Sequence, residues 1–286
     1  MPVFIALTGG GHCMLELEAL AAEARQRGMP AGKMRGILRE YLQILILKEM
    51  YKLPEGKKLC FTGGTYLRLI HQTKRFSEDL DFNAGRMKEG VFEETLQKVR
   101  DNLKREGLMA GLGFGHWGNL LVAELVFPDV EKHYGVVSPY RRKEGILIKI
   151  EVNRPRWKIK SETLVTAGFG YLFPVVCTEP GALFADKIDA LIKKNRARHL
   201  FDILFMLSKK YPIAANVLKS LGIKKPTLDA ILERTASFSA AELKKQAEQL
   251  RPFLFEESEA ALIANAHTII PQLVEEYRAQ IGLNPK

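Results

Sequence analysis

Asp79 and Asp81 stand one residue apart in the stretch SEDLDFN, and a Gly63-Gly64-Thr65 run precedes them on the same segment. In a strand alternate side chains share a face, so Asp79, Asp81 and Asn83 project together while Leu80 and Phe82 project opposite. Two carboxylates about 7 Å apart along a strand repel each other unless a cation lies between them. Mg²⁺ or Mn²⁺, hard ions that prefer oxygen ligands, would fill that place. A solvated edge strand would accommodate the same pair.

The glycines shift the balance. Leu59, Cys60 and Phe61 read as an apolar strand, and Thr65 begins a helix with apolar Tyr66, Leu67, Leu69 and Ile70. A strand, Gly-Gly and helix in succession delivers bare backbone N–H groups and a positive helix end to an anion. An ordinary tight turn needing φ > 0 explains the glycines alone. Followed by a carboxylate pair, the turn suits a triphosphate presented to metal ions.

A third carboxylate is available on ILIKIEVN, where Ile146, Ile148, Ile150 and Val152 share one face and Leu147, Lys149, Glu151 and Asn153 the other. Glu151 repeats the pattern around Asp81, with apolar residues behind and polar ones in front. It serves either a metal or a cross-strand salt bridge.

Two more charges sit where charges are costly. On GALFADKIDALIKK, a turn of 100° per residue places Lys187 among Leu183, Phe184 and Leu191, in the apolar stripe. On RHLFDILFMLSKK, Asp202 lies beside Phe205 and Met206 on a helix apolar almost all round. Each needs a partner. Asp202 could pair with Lys187, or with Arg198 at i, i+4. Alternatively both line a cleft with Lys187 on a phosphate, which the basic run from Lys193 to Arg198 favours.

The elements that must hold these residues follow from periodicity. The pattern predicts two helices within residues 14–50, broken by GMPAG at 28–32, then a strand at 58–62, a helix at 65–71, a strand at 79–83 and a helix at 90–106. Strands are expected at 119–127 and 145–153, and helices at 181–194, 198–209, 212–221, 226–234, 239–250 and 257–281. The division expected is N-terminal helices over 1–56, an α+β core over 57–165 and a helical lobe over 166–286 that completes the cleft. TGGGHC at residues 8–13 lacks the G-x-G-x-x-G and P-loop patterns and reads as a capping turn. His116-Trp117 reads as a structural loop pair.

With 286 residues, 47% of them hydrophobic, the chain can bury a sizeable core. Its formal charge of +10 attracts phosphate-rich partners and repels cationic ones. Basic clusters occur at Arg141-Arg142-Lys143, Lys193-Lys194 with Arg196 and Arg198, and Lys224-Lys225. Cys13, Cys60 and Cys177 form no C-x-x-C pair, so neither a disulfide framework nor a zinc site is indicated. MPVFIAL carries no basic stretch ahead of its apolar residues, and no segment approaches the ~18 apolar residues of a membrane span. A cytoplasmic protein without membrane contact is expected.

Phe61-Thr-Gly-Gly-Thr65, Arg75-Phe-Ser-Glu-Asp-Leu-Asp-Phe82, Lys187 and Arg198-His-Leu-Phe-Asp202 together resemble the AbiEii/AbiGii nucleotidyltransferase toxins of type IV toxin-antitoxin systems, relatives of the MenT enzymes. The resemblance spans about residues 40–210. It implies a DNA polymerase β-like nucleotidyltransferase core, a mixed sheet with helices, plus a helical C-terminal lobe. It assigns Asp79 and Asp81 to the metals, with Ser77 beside them, Lys187 to the nucleotide phosphates and Asp202 to completing the catalytic site. Two departures stand out: Glu151 replaces the more usual Asp, and His199 occupies a position that is commonly acidic.

The reading is therefore transfer of a nucleoside monophosphate from an NTP to RNA, with release of pyrophosphate. Asp79, Asp81, Lys187 and Asp202 would be catalytic, Gly63, Gly64, Thr65, Ser77 and Lys187 would bind nucleotide, and Asp79, Asp81 and Glu151 would bind Mg²⁺ or Mn²⁺. The resemblance adds the tRNA 3′ end as acceptor and a separately encoded antitoxin that need not bind the toxin. A protein or small-molecule acceptor, or a non-catalytic RNA-binding module on the same fold, are the alternatives.

Overall fold

The computed structural model describes residues 14–136 and 145–280. The TGGGHC turn, Cys13 and the Arg141-Arg142-Lys143 cluster lie outside those residues. In chain order the elements are α1 (Leu17–Gln26), α2 (Met34–Lys52), β1 (Cys60–Thr62), α3 (Gly63–Leu69), β2 (Leu80–Asn83), α4 (Glu89–Arg105), β3 (Gly111–Trp117), β4 (Leu120–Phe127), α5 (Val130–His133) and β5 (Ile146–Asn153). They continue as β6 (Ser161–Gly168), β7 (Tyr171–Thr178), α6 (Pro180–Lys193), α7 (Ala197–Ser208), α8 (Ala215–Ser220), α9 (Thr227–Ala236), α10 (Ala240–Leu250), α11 (Ala260–Ala264) and α12 (Ala266–Gln280). Mixed sheet first and helices afterwards make the α+β class expected from the sequence.

The seven strands form one sheet in the order β3-β4-β5-β2-β1-β7-β6. β1 runs antiparallel to β2 and parallel to β7, and β2 runs parallel to β5. The β5 alternation holds: Ile146, Ile148, Ile150 and Val152 are fully buried. They face a layer that includes α2, on which every residue from 40 to 51 is buried. Such a helix carries charges only if they are paired. Glu40 accordingly meets Arg27 and Arg68, and Lys48 meets Glu49 and Glu106. α4 lays Phe92, Leu96, Val99 and Leu103 on the same layer.

Two hairpins extend the sheet beyond the strands expected. β6 and β7 carry it across residue 165 to Thr178, joined by Phe169-Gly170 with φ of 51° and 79°. Both central residues at positive φ make the turn that matches strand twist, although phenylalanine rarely adopts it. β3, not among the strands expected because its sequence GLGFGHW is rich in glycine, a poor strand former, pairs with β4 along its whole length. At the other end of the chain, the helix expected over 257–281 is interrupted at Asn265, between α11 and α12.

The helical lobe grips the segment that leads into β2. Phe76 N–H donates to the Phe253 carbonyl at 2.8 Å and Phe255 N–H to the Lys74 carbonyl at 2.9 Å, flanking an antiparallel bridge between Arg75 and Leu254. Pro180 opens α6 and a Ser239–Glu242 capping box opens α10. Among the described residues no helix is long and apolar enough to cross a membrane.

Candidate active site

Asp81 stands at the centre of the sheet. β2 places it opposite Thr62 of β1 and, in parallel register, opposite Glu151 of β5. Asp79 precedes the strand by one residue, on the same side. Gly63 turns beneath Asp81 with φ +82°, and a Cβ there would collide with the Asp81 carboxylate. Glycine is thus required twice over, by the backbone conformation and by the close approach. Gly64 is similarly pressed: a Cβ would lie 2.7 Å from Arg75 Nη2 and 2.8 Å from Ser77 Oγ. Thr65 points its hydroxyl at the Asp79 carbonyl, tying the start of α3 to the approach of β2.

A cleft of about 380 Å³ opens over this point, lined by Gly63, Asp81, Glu151, Lys187, Lys194 and His199 among others. Carboxylates enter from the sheet and lysines from α6 and its C-terminal end. Burial, reinforced by the neighbouring Asp79 charge, pushes the Asp81 carboxyl up to about 6. Burial also raises Asp79, whose nearest cation is the Arg198 guanidinium at 3.9 Å. Glu151 is paired with Lys149, two residues earlier on its own strand.

Lys187 emerges from the apolar stripe of α6, and Asp202 explains how. Asp202 is fully buried on α7, receives Lys187 Nζ at 2.6 Å and accepts two further bonds from Arg75 Nε and Nη2, each at 2.8 Å. Burial alone would raise its carboxyl, but Arg75 and Lys187 more than offset that and hold it below the usual carboxylate range. Of the two partners weighed from the sequence, Lys187 is the one found, whereas Arg198 turns to Asp79. Asp202 therefore lies behind Lys187 rather than in the cleft. Ser77 lines a smaller neighbouring pocket with Arg75, Arg196 and Arg198.

Three residues at the site have no role legible in the sequence. Arg75 opens the RFSEDLDF stretch, but its partner is 127 positions away, so no local pattern shows it. Asp186, beside Lys187 on α6, lines the cleft, and burial raises it to about 7. His199 is 8% exposed, burial drives it down to about 3, and neither ring nitrogen has a hydrogen-bond partner among the described residues. A neutral imidazole facing the cleft offers one donor and one acceptor.

Among the described residues no three His, Cys, Asp or Glu side chains converge as a ready metal cage. The oxygen-only donor set of Asp79, Asp81 and Glu151, on one sheet face, nevertheless fits a hard divalent ion better than a soft one. The glycine under Asp81 leaves that carboxylate unobstructed.

The model of the family described as nucleotidyl transferase AbiEii toxin, type IV TA system, matches residues 45–262, a stretch that contains every one of these side chains. The chain belongs to this family. It is an AbiEii-type nucleotidyltransferase toxin, and its fold agrees. MenT4, a nucleotidyltransferase toxin of Mycobacterium tuberculosis H37Rv, superposes with a TM-score of 0.54 at 15% identity, over 94% of this chain and 94% of that one. JHP933 from Helicobacter pylori superposes with a TM-score of 0.51 at 17% identity, over 86% of this chain and 95% of that one. No curated protein matches the sequence.

Proposed function

We propose that this AbiEii-type enzyme transfers a nucleoside monophosphate from an NTP to an RNA 3′ hydroxyl, with tRNA the first acceptor to test. The observation that carries the reading is the cleft itself. One wall is a carboxylate pair in strand register, Asp81 and Glu151, and the other supplies Lys187, Lys193 and Lys194, with the Gly63 turn between them. Triphosphate and cations need those opposite sets of charge side by side.

In the reaction the acceptor hydroxyl loses its proton to solvent as its oxygen bonds to the α-phosphorus, the bond from that phosphorus to the β-bridging oxygen breaks, and pyrophosphate leaves. Asp79, Asp81 and Glu151 would hold Mg²⁺ or Mn²⁺, which supplies charge neutralisation and a more acidic acceptor hydroxyl. Lys187 and the backbone at Gly63, Gly64 and Thr65 orient the phosphates, with Ser77 close to the turn. Asp202 acts through Lys187: bonded at 2.6 Å, it fixes the ammonium at the cleft wall. Arg75 fixes Asp202 in turn. The basic surface favours RNA over a cationic small acceptor. A separately encoded antitoxin accompanies a toxin of this class.

The test incubates purified protein with Mg²⁺, total tRNA and each α-labelled NTP, beside Asp81→Ala. Label on tRNA from one or two NTPs, absent from the variant and without Mg²⁺, is the expected result. Label on the protein itself or on a small hydroxyl compound would replace RNA as acceptor. RNA binding unaffected by Asp81→Ala, with no NTP consumed, would overturn the catalytic reading.

A further inference from the structure

The cleft face of the sheet has an unusual outer strip. In register, Trp117 lies opposite Leu120 of β4, Gly115 opposite Val122, Gly113 opposite Glu124 and Gly111 opposite Val126. Val122 in turn lies opposite Glu151 of β5, and Glu151 opposite Asp81. Gly111, Gly113, Gly115 and Trp117 therefore share the face of the sheet that carries the carboxylates. The alternate residues of β3 point the other way: Phe114 meets Phe92 and His116 meets Glu89, both on α4.

Three alternate glycines thus strip the catalytic face of side chains, and one large aromatic ends the strip. Among the described residues a Cβ at Gly113 would meet nothing within 4 Å, so their packing does not demand the glycine, and its φ is not in the left-handed region. At Gly115 the nearest atom to a Cβ is the Trp117 indole, 3.9 Å away. Trp117 is 64% exposed, with Lys149 Nζ 5.6 Å from its ring centre. Arg154 bonds the Gly118 and Asn119 carbonyls at 3.0 and 3.2 Å, placing a cation at the adjoining turn. Glu124, the acid beside the strip, lies opposite Lys149. Leu120, the register partner of Trp117, already lines the cleft.

A bare strip, an exposed indole and flanking cations are what a single-stranded nucleic acid uses: backbone beside positive charge, base on an aromatic face. The strand order gives direction. Gly63 follows β1 and so stands on the β1 side of Asp81, whereas Trp117 stands on the β3 side, beyond Glu151. We propose that the glycine strip and Trp117 form the acceptor subsite, with a base near the RNA 3′ end stacked on the indole and the strand laid along Gly111, Gly113 and Gly115. This assignment rests on the RNA-acceptor reading above. It places the glycine strip and the Gly63 turn on opposite sides of the Asp81 strand.

The test varies a single-stranded RNA with a free 3′ hydroxyl at saturating NTP and Mg²⁺, using the full chain. Trp117→Ala is expected to raise KM for RNA roughly 5- to 100-fold, with KM for NTP changed less than about twofold. Trp117→Phe should recover most of the loss. Gly113→Val, which adds a β-branched side chain where there is space, should raise KM for RNA without lowering Tm. With Trp157→Phe as background, Trp117 is the sole tryptophan, and RNA should quench its emission where NTP does not. Unchanged KM for RNA in both Trp117→Ala and Gly113→Val overturns the proposal. A rise in KM for NTP instead overturns the acceptor assignment and gives the indole to the donor base. If the wild type labels no RNA, the transfer reading has failed separately, and quenching, which needs no turnover, still decides whether Trp117 takes a nucleobase.

Discussion

Asp81 and Asp202 are both carboxylates in sheltered positions of one site, and their surroundings drive them in opposite directions. Asp202 receives Arg75 and Lys187 and is held below the usual range. Burial, reinforced by the Asp79 charge, raises Asp81 to about 6, and Lys187 and Arg198 offset that only in part. Around Asp202 two cations meet one carboxylate, whereas Asp81 has a second carboxylate, Asp79, as a charged neighbour. Removing one partner of a buried ion pair leaves an uncompensated charge, whereas a like charge beside a carboxylate disfavours its ionisation.

The sharpest expected difference is in activity. Asp81→Ala or Asp79→Ala should reduce nucleotidyl transfer below detection while leaving the far-UV spectrum and cooperative unfolding intact. Unfolding of either variant under assay conditions would erase the distinction drawn between the two carboxylates.

In stability the order reverses. Asp202→Ala leaves Arg75 and Lys187 facing each other without their shared anion, and removing one partner of a buried pair costs about 3–5 kcal/mol. A urea midpoint lowered accordingly is expected. A midpoint equal to that of the wild type would show that Asp202 is not a structural post.

A smaller effect of opposite sign is expected at Asp81. Its folded value of about 6 lies above its ordinary 3.8, so between those two pH values the folded state retains a proton that the unfolded chain has lost. Stability from this group is present at low pH, falls as pH rises through that window and is fully lost above it. In metal-free protein Asp81→Asn should flatten the fall and be more stable near pH 7 by on the order of 2 kcal/mol. Added Mg²⁺ should raise the Tm of the wild type and not that of Asp81→Asn. Equal Mg²⁺ shifts in the two proteins would remove Asp81 from the metal set.

The least effect is expected from the partly exposed Lys149–Glu151 pair. Lys149→Met should change stability by less than about 1 kcal/mol, because solvent screens such pairs and side-chain ordering offsets their attraction. A larger loss would mean that Glu151 depends on Lys149 for its place on the sheet.

Alternation along β2 and β5, the glycines before α3 and the lysine in the stripe of α6 are local patterns with periods of two or 3.6 residues, and the chain displays them directly. Those patterns sufficed for the α+β class, the carboxylate face and the Gly63 turn. They did not suffice for β6 and β7, where Phe169 takes a left-handed turn conformation, nor for β3, whose glycines resemble loop until a neighbour supplies the hydrogen bonds. His116-Trp117, read from sequence as a structural loop pair, divides between the two faces of that strand: His116 turns to α4 and Trp117 to the cleft side.

What the chain determined by itself was the chemistry each segment could offer, since side-chain type and spacing along one strand or helix are independent of distant contacts. What only the tertiary structure decided was which charges meet. Arg75 finds Asp202, Lys187 is held between that pair and the cleft, Arg198 goes to Asp79, and Glu151 falls into register with Asp81. Each joins residues far apart in sequence, where pairing depends on strand order and helix docking rather than on any local period.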